Sequence, residues 1–276
     1  MAGELAAAYR SGAQRARVVT EAWGEKNLFC PNCSSPKLTW LEPGHPASDY
    51  KCPHCEFWYQ LKSQKSRIGD FITDGAYRAM MQAIQNDELP SFYFMQYDLA
   101  TWRVRNLLLV PNFAFPPSAI IKRKPLAPTA RRHGWVGCNF DLRRIPQEAR
   151  IPVITESQIS TAAEVREKVK RVKPLKDISI QQRGWTLDVL NIVRRLVEER
   201  GSATRSRWGE ATDEPAREDA RPTNTFTTSD VYAFTHELEK LHPDNRHVKD
   251  KIRQQLQVLR DMELLQHVAR GVWRLP

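Results

Sequence analysis

The chain has no run of about 18 apolar residues, the length a helix needs to cross a bilayer, so a membrane span is not expected. Its first residues, MAGELAAAYRSGAQRAR, lack the long apolar core of a secretory signal peptide. These absences point to a soluble, cytosolic protein with no membrane partner. The chain also lacks the low apolar content of a disordered polymer, since 41% of it is hydrophobic and 27% charged. It is short of negative charge, with 42 Lys+Arg against 32 Asp+Glu and a formal charge of +10. That excess suggests a polyanionic partner, although composition alone leaves a merely basic surface equally open. The 276 residues allow one large domain or two ordinary ones.

The charge is unevenly spread. Residues 183–276 hold 16 Lys+Arg and 15 Asp+Glu, a net of +1, which leaves +9 on the first two-thirds. It is densest in 120–150, where Lys122, Arg123, Lys124, Arg131, Arg132, Arg143, Arg144 and Arg150 face only Asp141 and Glu148. Pro125, Pro128 and Gly134 make this stretch read as loop. Such a loop suits contact with phosphates along a groove, and a solvated loop is the plainer alternative.

Cysteine is scarce, with five residues, but four of them are patterned. Cys30-Pro-Asn-Cys33 and Cys52-Pro-His-Cys55, eighteen residues apart, match the four-thiolate zinc pattern. A reducing cytosol argues against disulfides, and no thioredoxin-like βαβ pattern flanks either pair. Four thiolates close the ion to substrate, so this zinc is expected to be structural. His54, inside a knuckle, is expected to be exposed, and Cys138 to be a packed small residue.

Asp49 lies just before the second cysteine pair. After it, Glu56-Phe57-Trp58-Tyr59-Gln60-Leu61-Lys62 reads as a strand, with Gln60 and Lys62 on one face and Leu61 on the other. An Asp, ten residues, then [E/Q]-x-Lys is the layout of a magnesium-dependent nuclease site. A carboxylate holds the metal, a second oxygen ligates it, and the lysine assists the attacking water or stabilises charge on phosphorus. A surface Asp beside an amphipathic strand fits this short pattern as well.

Downstream, the spacing of Ala76, Tyr77, Met80, Met81 and Ile84 predicts a helix over Thr73–Gln85, with both methionines in the core. Ser91–Tyr97 and Val104–Val110 read as buried central strands. Further on, Thr186 is a plausible N-cap for a helix over Leu187–Glu199. The polar segment 200–225 reads as an exposed, mobile loop. Ser229–Leu241 and Arg246–Met262 read as two more helices, and Leu264–Val268 with Val272–Leu275 as a hairpin. Three helices and a hairpin make a winged helix. The last helix would carry Lys249, Arg253, Gln254, Gln257 and Arg260 outward, residues suited to base edges in a major groove, or simply a solvated face.

Beyond these patterns, the chain resembles the methyl-directed restriction endonucleases of the DpnI type. CPNC, CPHC, the Gln60-Leu61-Lys62-Ser63 segment and DGAY at Asp74–Tyr77 carry the likeness. So do RKPLAPTARR at Arg123–Arg132, GWVGCN at Gly134–Asn139, RGWT at Arg183–Thr186 and KIRQQLQVLRD at Lys251–Asp261. They span nearly the whole chain. The resemblance implies an α/β (α+β) PD-(D/E)xK nuclease core with a four-cysteine zinc site over 1–180 and a winged-helix DNA-binding domain over 181–276. It implies Mg²⁺-dependent cleavage of double-stranded DNA at GATC when the adenine is N6-methylated, with no small-molecule substrate, by a protein expected to be a monomer. Asp49 matches the first metal-binding aspartate, Lys62 the catalytic lysine, and the Leu61 carbonyl a further magnesium ligand. Trp135, in the matched loop, is the candidate for contact with DNA near the methyl group, core packing being the competing role. The sequence departs from the family at two places. Gln60 stands where the family has Glu, which removes a negative charge, and segment 200–225 is longer than the corresponding loop.

Overall fold

The protein is described from a computed structural model covering residues 1–42, 48–207 and 224–276, the side chains of 202–207 excepted. The chain separates into two compact units, Met1–Ile180 and Gln181–Pro276.

The first unit opens with helix α1 (Gly12–Asn27) and two short strands, β1 (Thr39–Trp40) and β2 (Tyr50–Lys51). Strands β3 (Trp58–Gln64) and β4 (Phe71–Ala76), helix α2 (Tyr77–Gln85), and strands β5 (Ser91–Tyr97) and β6 (Val104–Val110) follow. Then come β7 (Ile120–Lys122), β8 (Gly137–Asp141), β9 (Ile151–Thr155), β10 (Gln158–Ile159) and helix α3 (Ala162–Val172). Two sheets result. The larger runs β1-β2-β3-β5-β6-β9-β10, and the smaller β4-β8-β7. Among the described residues only β3 and β5 pair in parallel, Gln60 opposite Phe92 and Lys62 opposite Phe94; the other pairings of this unit are antiparallel.

The near-continuous apolar run Phe92–Met95 explains why β5 sits in the middle of the large sheet, buried on both faces. Phe92 and Phe94 on β5 meet Phe140 on β8 edge-on, at 4.8 and 5.7 Å between ring centroids, and Phe115 closes the cluster at 5.2–5.3 Å from Phe140 and Phe92. These rings fasten the small sheet to the large one, so β4 and β8 are held over the strand that neighbours β3. Helix α1 docks beneath β3 through Thr20 Oγ1, 3.1 Å from Ser63 Oγ, while the Tyr50 hydroxyl donates to the Glu21 carbonyl at 2.8 Å.

The helix expected over Thr73–Gln85 begins only at Tyr77. Residues Phe71–Ala76 are instead strand β4, paired Ile72 to Phe140 and Asp74 to Cys138. Pairing with β8 and burial of Ile72 and Asp74 overrode the helical spacing that begins at Ala76. The expected strand from Glu56 begins two residues later, because Glu56 sits in the left-handed region at φ 60° and its carboxylate pairs with Lys51.

The second unit holds α4 (Ile180–Arg207), β11 (Thr225–Thr227), α5 (Thr228–Tyr232), α6 (Thr235–Leu241), α7 (Val248–Asp261), β12 (Gln266–Ala269) and β13 (Val272–Arg274). Its strands form one sheet in the order β11-β13-β12. Trp185, Leu190, Val193, Phe226, Val231, Leu238, Ile252, Leu256 and Trp273 are among the residues of a common core. Thr186 is not an N-cap. It lies inside α4, and its hydroxyl donates to the Gln182 carbonyl at 2.9 Å and sits 2.6 Å from Gln255 Oε1, tying α4 to α7. The single helix expected over Ser229–Leu241 is two, α5 capped by Thr227 and Asp230 in a reciprocal capping box. Of the segment 200–225, α4 occupies the start and β11 the end; 208–223 lie outside the described residues. Among the described residues no helix is long and apolar enough to cross a membrane.

Candidate nuclease cleft, cysteine cluster and DNA-facing surfaces

Knuckle geometry is set by two tight loops, one after α1 and one after β2. The sulfurs of Cys30, Cys33, Cys52 and Cys55 all lie within 4.8 Å of one another. Cys30 approaches Cys55, and Cys33 approaches Cys52, at 3.5 Å in each case. A tetrahedral zinc with bonds of about 2.3 Å needs sulfurs about 3.8 Å apart, so the cluster is shaped to hold one. Amide N–H groups of Ser35 and His54 point at Cys33 and Cys52 sulfurs, both at 3.4 Å, as donors that stabilise thiolates. Burial raises the Cys30 thiol well above its usual range. Cys52 is pushed up by burial too, but the N–H groups of Cys55 and His54 prevail and hold it at about 6. Four thiolates this close repel one another, and a divalent cation is what lets all four ionise together. His54 is exposed, and Cys138 is fully buried on β8 with its sulfur 3.5 Å from the Gly75 carbonyl oxygen. Arg166 of α3 donates to the carbonyls of Cys30 and Ser35 at 3.1 and 2.9 Å, fixing the first knuckle to the body of the unit.

Directly after the second knuckle the chain enters β3, and a cleft of about 860 Å³ opens along it. Asp49, Gln60, Leu61 and Lys62 line this cleft together, with Arg17 and Glu21 from α1 and Arg67 beyond β3. Asp49 Oδ2 accepts the Leu61 amide N–H at 2.8 Å, which fixes the carboxylate at the start of β2 and leaves Oδ1 free of that bond. Within a strand a residue's N–H and C=O point to the same side, so the Leu61 carbonyl faces the same way as its N–H. Burial raises the Asp49 carboxyl, the Leu61 N–H lowers it, and the nearby Glu21 charge raises it again; the net direction is up. That is the behaviour of a carboxylate short of positive charge. An Asp carboxylate, a Gln amide oxygen and a backbone carbonyl are all hard oxygen donors, a set that suits Mg²⁺.

Two residues that the pattern did not single out belong to this site. Glu21 bonds Arg17 at 2.6 Å on the α1 face that walls the cleft. Nothing in the sequence marks it, since it sits in an ordinary amphipathic helix. Asp74 on β4 is ion-paired to the Lys62 ammonium. Its only sequence signal is the DGAY segment. Glu56 plays no part, being turned to solvent against Lys51.

Of the basic stretch, Arg123, Lys124, Arg131 and Arg132 are exposed in the connection from β7 to β8, with no ion pair among the described residues. This connection is ordered rather than slack. Leu126 N–H donates to the Trp135 carbonyl and Gly134 N–H to that of Leu126, at 2.9 and 3.0 Å. Gly134 turns the chain at φ 73°. Trp135 is half-buried, with the Arg132 guanidinium 4.7 Å from its ring centre. Gly137 leaves room for the ring, since a Cβ there would come within 2.8 Å of it. Trp135 is therefore neither a core side chain nor a free one. Arg143 differs from its neighbours, because two bonds of 2.8–2.9 Å tie it to buried Asp141.

In the second unit, Lys249, Arg253, Gln254, Gln257 and Arg260 are all exposed on α7, while Val248, Ile252, Leu256 and Leu259 are buried. Arg253 pairs with Asp250, Arg260 with Asp261, and Gln254 Oε1 accepts from the Lys251 ammonium at 2.8 Å, so Gln257 is the least encumbered of the polar residues on this face among the described residues.

A family model described as DpnI, Dam-replacing family, matches residues 1–178, and a second, described as the Dam-replacing HTH domain, matches residues 219–275. The chain belongs to the Dam-replacing family. The resemblance to DpnI-like methyl-directed restriction endonucleases is thereby borne out, and the second match makes the C-terminal unit a helix-turn-helix DNA-binding domain. The four-cysteine cluster sits in the first match and the exposed α7 face in the second.

Proposed function

We propose that this Dam-replacing family member is a type II restriction endonuclease that hydrolyses double-stranded DNA at GATC when the adenine carries an N6-methyl group. The observation that carries this reading is that Asp49, Gln60, Leu61 and Lys62 line one open cleft, with Asp49 accepting the Leu61 N–H, which supports a PD-(D/E)xK site there. Bound there, Mg²⁺ would supply Lewis acidity and a coordinated water as nucleophile. Asp49 and Gln60 would hold it, with Leu61 adding its carbonyl. Lys62, the one ammonium on the β3 wall, would meet the scissile phosphate and stabilise the charge that grows on its oxygens. The basic connection with Arg123, Lys124, Arg131 and Arg132 would grip the backbone. The α7 face with Lys249, Arg253, Gln254, Gln257 and Arg260 would enter the major groove, glutamine being able to bridge adenine N6 and N7. Trp135, its ring face under Arg132, would offer an apolar edge to the methyl group. The zinc in the four-cysteine cluster is assigned a structural role, since four thiolates leave no place for water.

Plasmid from adenine-methylating and non-methylating hosts, incubated with the full chain and Mg²⁺, tests this directly. We expect cutting of the methylated plasmid alone, into fragments ending at GATC. Equal cutting of both would sink the methyl specificity. A second reading, a reader that binds methylated DNA without cleaving it, is favoured by one feature, the glutamine at position 60. It predicts methyl-specific binding with and without Mg²⁺ and no nick in either plasmid.

A further inference from the structure

Lys62 lines the cleft, yet its ammonium is paired with Asp74, a side chain on the other sheet, and not with Asp49. The partners differ sharply in freedom. The Lys62 side chain is 25% exposed, while that of Asp74 is 3% exposed. Asp74 is also fixed through its backbone, because β4 pairs with β8 at Asp74 and Cys138, and β8 is locked to β5 by the Phe92–Phe94–Phe140 cluster. A buried carboxylate on a clamped strand is a rigid anchor, and a lysine on a four-carbon stem needs one. Asp49 and Lys62 are close enough for the lysine charge to act on the Asp49 carboxyl. Without Asp74, Lys62 would be left to Asp49, an acid of the same cleft that its charge already reaches.

Resting on the nuclease reading of the cleft, we infer that Asp74 is a positioning residue: it draws the Lys62 ammonium away from Asp49, so that Asp49 stays free for a divalent cation while Lys62 is aimed at the phosphate. The division matters more here than in a site with two acids. Gln60 adds no charge, and among the described residues of the β2–β3 hairpin Asp49 is the one carboxylate that lines the cleft. A lysine collapsed onto Asp49 would leave the site without an anionic ligand from this hairpin. The anchor also has a route to DNA. The same β8 residue that pairs with Asp74 pairs with Lys122, and the basic connection starts at the next residue, Arg123, whose N–H donates to the Gly137 carbonyl at 2.9 Å. Burial raises the Cys138 thiol to about 11, with the Asp74 charge adding to the rise and Lys62 and Arg123 opposing it, so all three act on one buried sulfur.

The test uses the full chain and does not depend on cleavage. Mn²⁺ binding is titrated by electron paramagnetic resonance, without DNA, in the wild type, Asp74→Asn, and Lys62→Ala with Asp74→Asn. We expect Asp74→Asn to weaken Mn²⁺ binding about tenfold, because freed Lys62 then competes for Asp49. The double variant should recover wild-type binding, since the competitor is gone; a merely structural aspartate would show no recovery. Asp74→Ser repeats the comparison should the amide disturb the fold. In plasmid cutting, Asp74→Asn should lower turnover at least tenfold, with affinity for methylated duplex in Ca²⁺ unchanged within about twofold. Unaltered Mn²⁺ affinity in Asp74→Asn, or equal weakening in the double variant, overturns the proposal. A wild type that cuts nothing while the Mn²⁺ series behaves as expected would overturn the nuclease reading instead.

Discussion

A glutamine at position 60 changes what the cleft can hold. An amide oxygen can ligate Mg²⁺, but it brings no charge, and a hard cation favours carboxylates. Gln60→Glu is therefore expected to lower the Mg²⁺ concentration for half-maximal cutting, by about tenfold if one added charge is worth about 1.4 kcal/mol at this site. Cleavage of methylated plasmid across a Mg²⁺ series reads this directly; a higher Mg²⁺ requirement in the variant would mean that position 60 does not face the ion. The gain should shrink as pH falls. Burial and the Glu21 charge already raise the Asp49 carboxyl, and a new acid nearby raises it further, so Asp49 keeps its proton to higher pH and releases the metal sooner on acidification. Much of this site was legible at the residue scale. The period-2 alternation put Gln60 and Lys62 on one face, and the spacing to Asp49 brought the acid to them. Asp74 was not legible as a partner of Lys62. Their meeting depends on β4 folding over β3 from a second sheet, and no local pattern encodes that. The start of the strand was misread for a local reason, a left-handed backbone at Glu56 that delays β3 to Trp58.

Among the elements, the two knuckles are short, polar and poor in core side chains, so the ion rather than packing should hold them. Cys52→Ser is expected to abolish stoichiometric zinc binding, read by metal analysis of the purified protein, and to lower the melting temperature in parallel. It should also disorder the start of β3, because Cys52 accepts the Glu56 N–H at its carbonyl and donates its own to Phe57. Retained zinc would mean that three cysteines suffice. Elements with strong side-chain patterns were readable from the sequence: β5 and β6 from their apolar runs, and α7 from its amphipathic face with Val248, Ile252, Leu256 and Leu259 turned inward. Those with weak patterns were not. Strand β4 ends in Asp74-Gly75-Ala76, three residues depleted in strands, and stays a strand there because β8 pairs with it. Helix α4 begins well before Thr186, whose hydroxyl bonds Gln182 and Gln255 instead of capping anything. A threonine reads the same in either setting until its partner helix is known.

Over the whole chain the excess of +10 is concentrated before residue 183, while the helix-turn-helix unit is near neutral. In the described residues an open part of that excess is the connection bearing Arg123, Lys124, Arg131 and Arg132, all exposed, whereas Arg143 is already taken by Asp141. Non-specific grip and sequence reading should thus be separable. Phosphate contacts release counterions, and each one lost lowers the slope of log affinity against log salt by about 0.9. Replacing Arg123, Lys124, Arg131 and Arg132 with serine should reduce that slope by up to about 3.6. It should weaken methylated and unmethylated duplexes alike. Gln254→Ala with Gln257→Ala removes no charge. That pair should leave the slope nearly unchanged but cost about 10- to 100-fold in preference for the methylated site, the range of one lost bidentate base contact. Fluorescence anisotropy in Ca²⁺, with both duplexes across a salt series, distinguishes the two behaviours. A slope that responds to the α7 variants and not to the basic connection would reverse the division of labour and put the electrostatic grip on the nearly neutral unit.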